Sequence, residues 1–278
     1  MKILLSFLSF RNYSGSELYF YELATAFIKL GYTIDFFVLV KGPPLINKIK
    51  NVKFVNKYTL RFKKYDAVLF SHGTKTWKYI HKIKTKKFIN IIHSEVIDSE
   101  KPILDSKITN YIAIRPSIIN YIRKYTNNAK NIKLIFNPFD LQRFNSKNCI
   151  KNSSLPLTVL FIGDIDYLRK KPIEYLIKEF ACKNYNIIHV GKSFYNIKHQ
   201  NFYSYDPKWE VEDFFSKCDI SAGIFLGRST IEGLLCGKKA LQFDVTKNGN
   251  IKKIYWHQED NLDKFDRINV AKEFIKLI

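Results

Sequence analysis

Short runs of apolar residues recur along this chain, continuous rather than alternating, with helical periods of about a dozen residues between them. Runs that are apolar on both faces are what parallel strands need when helices cover each side of the sheet. They predict strands in "KILLSFL", "TIDFFVLV", "DAVLFSH", "KFINIIH", "NYIAI" and "IKLIF", and, after an interval, in "LTVLFIG", "YNIIHVG", "DISAGI" and "KALQFDV". The stretch "SELYFYELATAFIKLGY" places Leu18, Tyr21, Leu23, Phe27 and Leu30 near one side of a helix that stops at Gly31. "KPIEYLIKEFACK" predicts a helix with Pro172 at its first position. "WEVEDFFSKC" and "PSIINYIRKY" predict two more.

The interval from Asp140 to Pro156 breaks this rhythm and is rich in Asn, Ser and Lys, so it reads as a linker. Strands and helices alternate on each side of it. The expectation is therefore α/β architecture with two doubly wound, Rossmann-like domains: residues 1–140, a linker at 141–156, and residues 157–278. In such folds ligands bind beyond the carboxyl ends of the strands, and with two halves the cleft between them is the expected site. The length of 278 residues suits two domains of ordinary size.

Hydrophobic residues make up 46% and charged residues 26%, which describes a globular protein. No apolar run approaches the roughly 20 residues needed to cross a bilayer. The start, "MKILLSFLSFRNYSGSE", lacks a small-residue cleavage pattern and leads into a Gly turn, so it is read as a first buried strand. That predicts a cytoplasmic protein beginning at Met1. The formal net charge of +21 admits three anionic partners: nucleic acid, a membrane surface, or small molecules. Lys, Asn, Ile and Tyr are all abundant, so part of the lysine excess is compositional. Cys149, Cys182, Cys218 and Cys236 are scattered, with no C-x-x-C spacing; this disfavours a zinc site or a disulfide framework and predicts buried free thiols.

The turns after the strands carry the unusual residues. Gly15 precedes a predicted helix start at Ser16, where backbone N–H groups could approach an anion or where Ser14 or Ser16 could simply cap the helix. Two strands end in histidine, His72 and His93, each a candidate for a polar ligand contact. Asn137, Pro138 and Asp140 follow another strand, as a plain turn or at the mouth of a cleft. In the second half, Gly163 opens a turn in which Arg169, Lys170 and Lys171 arrive just before a helix, a combination suited to a diphosphate. The same turn holds Asp164 and Asp166 as a D-x-D pair, but the adjacent cations favour neutralisation by side chains over a metal. Finally, Ser229-Thr230-Ile231-Glu232 matches a capping box, in which Ser229 caps and Glu232 reaches back to the Ser229 N–H. Gly227 and Arg228 beside it are not explained by capping. A carboxylate there can also accept the hydroxyls of a ribose while the helix N-terminus faces phosphate.

Taken together, "GSELYFYELATAFIKLGY", "NIIH", "NPFDLQRF", "FIGDIDYLRKKP", "IIHVGKS" and "CDISAGIFLGRSTIEGLLCGKKALQFD" resemble the GT-B glycosyltransferases of the family-4-like group. The resemblance implies transfer of a sugar from a nucleotide-diphosphate sugar to an acceptor hydroxyl, with retention of configuration and no metal or other cofactor. It implies that Lys170, helped by Arg169, neutralises the diphosphate, that Gly15 lies under it, and that Glu232 holds the ribose. His93 would face the transferred sugar, with His72 and Asn137 on the acceptor side or in the cleft. Gly163, Arg228, Ser229 and Thr230 complete the donor set. The final segment corresponds to a helix that crosses back onto the first domain. Asp164 stands where the family has Arg, and Ile224 where it has the first Glu of a pair. Those departures leave open a second reading, a binding module with a decayed site. The expected acceptor is a glycan or lipid-linked carrier in surface glycan assembly, with an anionic membrane surface as a partner. A DNA acceptor is a further alternative, and nucleic acid the less favoured partner.

Overall fold

The computed structural model describes residues 1–127, 131–151, 155–246, 248–256 and 261–278. The apolar runs form the inner strands, because only a strand with helices on both faces buries every side chain. The chain divides into two compact units, Met1–Pro138 with Asp263–Ile278, and Phe139–Leu262.

In the first unit a seven-stranded parallel sheet runs in the order β3-β2-β1-β4-β5-β6-β7. Its strands are β1 (Lys2–Phe10), β2 (Thr33–Lys41), β3 (Val52–Phe54), β4 (Ala67–Phe70), β5 (Phe88–Ile92), β6 (Ile108–Ala113) and β7 (Ile132–Leu134). The connecting helices are α1 (Gly15–Lys29), α2 (Lys57–Leu60), α3 (Gly73–Ile80) and α4 (Pro116–Tyr125). Helix α1 is followed by Gly31 at φ +85°, a backbone state that Gly adopts without a steric penalty. One face of the sheet packs Leu4, Phe37, Val68, Phe70 and Phe88 against Leu60, Ile80 and Ile83. Above the other, Phe7 stacks on Phe20 of α1 at 4.2 Å and meets Phe36 edge-on.

The second unit holds a six-stranded sheet in the order β10-β9-β8-β11-β12-β13. Its strands are β8 (Thr158–Ile162), β9 (Asn186–Val190), β10 (Phe202–Tyr205), β11 (Ile220–Ile224), β12 (Lys239–Val245) and β13 (Ile251–Trp256), the last antiparallel to β12. Helices α5 (Lys170–Glu179), α6 (Glu212–Phe215) and α7 (Arg228–Leu235) belong to this unit, and α8 (Arg267–Ile275) to the first. Among the described residues no helix is long and apolar enough to cross a membrane.

Several sequence expectations need correction. The edge strands β3, β10 and β13 have no continuous apolar run, since an edge strand is half exposed; β13 is "IKKIYW". Helix α5 starts two residues earlier than predicted, with Pro172 as its third residue, and the helix predicted in "WEVEDFFSKC" shrinks to the four residues of α6. The reading of 141–156 as a linker also fails, though residues 152–154 lie outside the described set. Phe139, Phe144 and Cys149 are buried, Arg143 pairs with Glu212 at 2.6 Å, and Lys151 pairs with Asp219 at 2.6 Å. The polar composition conceals this anchored strap, which is part of the second unit.

The last sixteen residues belong to the first unit, not to the 157–278 domain expected from the boundary. Helix α8 packs on α1 through Phe274 against Phe27 and through a buried ion pair, Arg267 Nη1 to Glu22 Oε2 at 2.7 Å. Deleting one partner of a buried pair leaves the other charge without compensation. Arg267→Met is therefore expected to cost about 3–5 kcal/mol, read as a lower urea midpoint, and Glu22→Leu in the same chain should recover most of it.

Candidate functional site

Each sheet reverses its strand order once, between β1 and β4 in the first unit and between β8 and β11 in the second. At such a switch point the helices that follow the two strands leave on opposite faces, and a crevice opens beyond the strand ends. Most of the candidate residues follow these four strands.

In the first unit β4 is followed by buried Ser71, and His72 adopts φ +51° as it turns into α3. Gly73 is required there, because a Cβ would lie 2.5 Å from Cγ1 of Ile103. Both ring nitrogens of His72 are engaged, Nδ1 with Ser71 Oγ at 2.8 Å and Nε2 with Glu100 Oε1 at 3.3 Å. Glu100 is buried, and its second oxygen accepts the backbone N–H of His93 at 3.2 Å. Arg115 donates to the His93 carbonyl at 3.0 Å and pairs with Glu95, which also accepts from Ser117 Oγ at 3.0 Å. The His93 ring lies edge-on to Tyr19 at 4.6 Å, and its Nε2 is covered without a hydrogen-bond partner.

These surroundings set the protonation states. Burial pushes the Glu100 carboxyl up to about 8 and the His72 imidazole down to about 4. Burial also holds His93 well below its usual range, with the charges of His72 and Arg115 adding to the effect. At neutral pH burial therefore favours the protonated carboxyl of Glu100 and the neutral imidazole of His72.

Gly15 starts α1, and a Cβ there would meet nothing within 4 Å, so its position is open. Neither Ser14 nor Ser16 acts as predicted: Ser14 is the N-cap by position but makes no side-chain cap bond, and Ser16 is the second helical residue. Buried Glu17 instead accepts the N–H of Asn12 at 2.6 Å and holds the preceding turn. Asn137 is buried beyond β7, three strands from β4, and is not brought to the two histidines.

In the second unit the turn after β8 is built on close backbone approach. Gly163 has φ +124°, and a Cβ on Gly191, after β9, would lie 2.5 Å from its carbonyl oxygen. That carbonyl also accepts from His189 Nε2 at 3.0 Å. Asp164 accepts the Lys192 N–H at 2.9 Å, while Asp166 accepts the N–H groups of Leu168 and Arg169 and pairs with Arg169 Nη1 at 2.7 Å. Both carboxylates of the D-x-D pair thus serve the turn, and Asp166 positions Arg169. Lys170 is exposed, with its ammonium 5.0 Å from the centre of the Tyr195 ring.

The predicted capping box does not form. The N-cap of α7 is Gly227, and Ser229 already lies within the helix. Glu232 is buried and its Oε1 accepts from Arg228 Nε and Nη2 at 3.1 and 2.9 Å, one helical turn away. The Arg228 guanidinium also covers the Phe139 ring at 4.4 Å. Thr230 Oγ1 donates to the Phe225 carbonyl at 3.1 Å, and the Ser229 hydroxyl lies where a Cβ on Gly223 would be. The Thr230 hydroxyl therefore secures the turn, which also carries the backbone N–H groups of the helix start and the Arg228–Glu232 pair. Sequence reasoning missed Glu100, Arg115 and Glu95. Glu95 follows the "NIIH" strand end by two residues, but nothing local marks Glu100, which is brought in from a later turn.

The Glu100 effect on stability has a definite sign. Its folded pKa lies above the unfolded one, so it stabilises the fold at low pH and that contribution is lost as pH rises towards about 8. The depressed histidines act oppositely, losing stability as pH falls below their ordinary range. Unfolding free energy measured against pH should therefore decline from about 6.5 to 8, and Glu100→Gln should flatten that limb.

No protein-family model and no curated protein matches this sequence, but solved structures match the fold. AviGT4, a glycosyltransferase involved in avilamycin A biosynthesis, aligns with a TM-score of 0.66 at 11% identity, covering 100% of this chain and 96% of that one. Alr3699/HepE from Anabaena, in complex with UDP-glucose, aligns at 0.65 and 14% identity, covering 100% and 91%. WaaG, a glycosyltransferase involved in lipopolysaccharide biosynthesis, aligns at 0.64 and 10% identity, covering 99% and 90%. Across its whole length this chain therefore has the GT-B glycosyltransferase fold.

Proposed function

We propose that this protein is a glycosyltransferase that moves a sugar from a nucleotide-diphosphate sugar to an acceptor hydroxyl. The observation that carries the reading is the pairing, on adjacent strands β8 and β11, of two helix starts furnished with Arg169, Lys170, Arg228 and Glu232. A helix start presents unpaired N–H groups, and cations beside it suit a diphosphate. The leaving diphosphate gains charge as the glycosyl bond breaks, so fixed cations stabilise the transition state more than the ground state. Lys170 supplies that charge, with Arg169 held in place by Asp166. Glu232, with Oε1 taken by Arg228, accepts the ribose hydroxyls through its other oxygen. In the first unit, the start of α1 at Gly15 and the turn at His93 are the substrate-facing positions of this reading. His72 shapes the His93 turn through Glu100. Retention of configuration and independence of a metal belong to this reading, as does a cytoplasmic location. Alr3699/HepE bound to UDP-glucose, and to UDP and glucose, supports a nucleotide-sugar donor.

For the acceptor, the reading is a glycan or lipid-linked carrier in surface glycan assembly, met at an anionic membrane. WaaG supports the pathway class. The surface of the first unit supports the membrane: Tyr58 and Phe62 are 71% and 76% exposed, beneath the cations of Lys57 at 5.0 Å and Arg61 at 4.6 Å. Exposed aromatic rings with neighbouring cations match a headgroup layer over an anionic surface. DNA is the second reading, supported by the net charge of +21 and by a fold match to an α-glucosyltransferase in complex with UDP and DNA, with a TM-score of 0.59.

Isothermal titration with UDP, GDP, TDP, CMP and their sugars tests the donor site. One diphosphate should bind, and Lys170→Ala should lower transfer about 100-fold or more while the melting midpoint stays unchanged. A stable and fully active Lys170→Ala would remove that residue from the mechanism, and failure of every nucleotide to bind would favour the decayed-site reading. Vesicles containing anionic lipid should retain the protein at low salt and release it at high salt, and Phe62→Ser should weaken retention. If duplex DNA competes and the vesicles do not bind, the acceptor surface is read for DNA instead.

A further inference from the structure

The strap that opens the second unit grips α7 at both ends. At the helix start Phe139 lies under Arg228, and at its far end Cys149 Sγ is 2.8 Å from Sγ of Cys236, the helix C-cap. Disulfide bonds are about 2.05 Å long, so these thiols are within about 0.8 Å of bonding distance. Both residues are buried, at 1% and 2% exposure. The backbone around them is packed as tightly, since a Cβ on Gly237 would lie 3.0 Å from Cβ of Ser146. A zinc site does not account for the pair, because no group of His, Cys, Asp and Glu among the described residues could hold a metal.

We propose that Cys149 and Cys236 form an oxidisable pair that closes to an intrachain disulfide within the second unit. The two are not equivalent. The positive charge of nearby Lys238 favours the thiolate at Cys149, and burial favours the protonated thiol at Cys236. In this proposal Cys149 attacks and Cys236 resolves. With hydrogen peroxide as oxidant, the Cys149 thiolate attacks one peroxide oxygen, the O–O bond breaks, and sulfenic acid and one water form once a proton is taken up. Cys236 sulfur then attacks the sulfenic sulfur, the S–O bond breaks, and its thiol proton leaves with the hydroxyl as a second water. Two thiols lose two electrons and the peroxide gains them. The bond ties the strap to the helix that carries Arg228 and Glu232.

The test uses the full chain with Cys182→Ser, which removes the exposed thiol that could link two molecules, and the unaltered chain beside it. Folded protein is treated with hydrogen peroxide, then denatured, alkylated with N-ethylmaleimide, and measured by intact mass and by non-reducing tryptic digestion. The expected result is loss of two alkylation sites, a cross-linked peptide containing Cys149 and Cys236, and full reversal by dithiothreitol. Cys149→Ser should abolish the cross-link while leaving the melting midpoint of the reduced protein within a few degrees. The proposal is overturned if Cys182 in the unaltered chain is oxidised while Cys149 and Cys236 remain fully alkylated, or if the cross-link joins any other pair.

Discussion

A parallel strand covered by helices on both faces has no side on which a polar side chain can meet water. That constraint places the chemistry of this protein. The interior positions of β1, β4, β5, β8 and β11 are filled almost wholly by apolar side chains, and the polar groups gather where the strands stop. His72, His93, Gly163 and Arg228 all occupy turns immediately after a strand or open the helix that follows. The turns are narrow because the chain must reverse at once into a covering helix, and glycine permits the closest approaches. Gly191 against Gly163 is one, and Gly73 against Ile103 is another.

The second organising fact is the treatment of acid in a chain with 46 basic and 25 acidic residues. Several of the acids are buried, and each of these has a specific partner. Glu22 holds Arg267, Glu232 holds Arg228, and Asp35 takes Tyr65, Lys63 and Lys2. Glu100 differs, since burial outweighs the charge of Arg115 and raises its carboxyl to about 8, with the His72 imidazole beside it. A buried carboxylate without a cation is costly, and protonation removes the cost. Glu232 is thus explained by pairing rather than by capping: a guanidinium one helical turn away satisfies it, which leaves the helix start to its backbone N–H groups.

The fold class, the alternation of strands and helices, and most inner strands were legible in the sequence, because a run of residues buried on both faces leaves an unbroken apolar signature. The GT-B resemblance was legible for a related reason: its motifs lie in short turns, where local residue types mark glycine and charge at fixed distances from a strand. The edge strands β3, β10 and β13 were not legible, since partial exposure dilutes the pattern, and α6 was legible in place but not in length. The strap at 139–151 was hidden because a few anchors, Phe139, Phe144 and Arg143, decide its packing while Asn, Ser and Lys dominate its composition.

What the sequence by itself determined is the local content: which segments become strands, where helices stop, and which turns carry cations and histidines. Tertiary structure decided the pairings. Glu100 with His72, Arg115 with Glu95, Arg267 with Glu22 and Cys149 with Cys236 are separated by 28, 20, 245 and 87 positions. Side-chain spacing along one helix or strand carries no information about such partners. Only the packing of strands, helices and strap brings them within a few ångströms, and burial then acts on their charge.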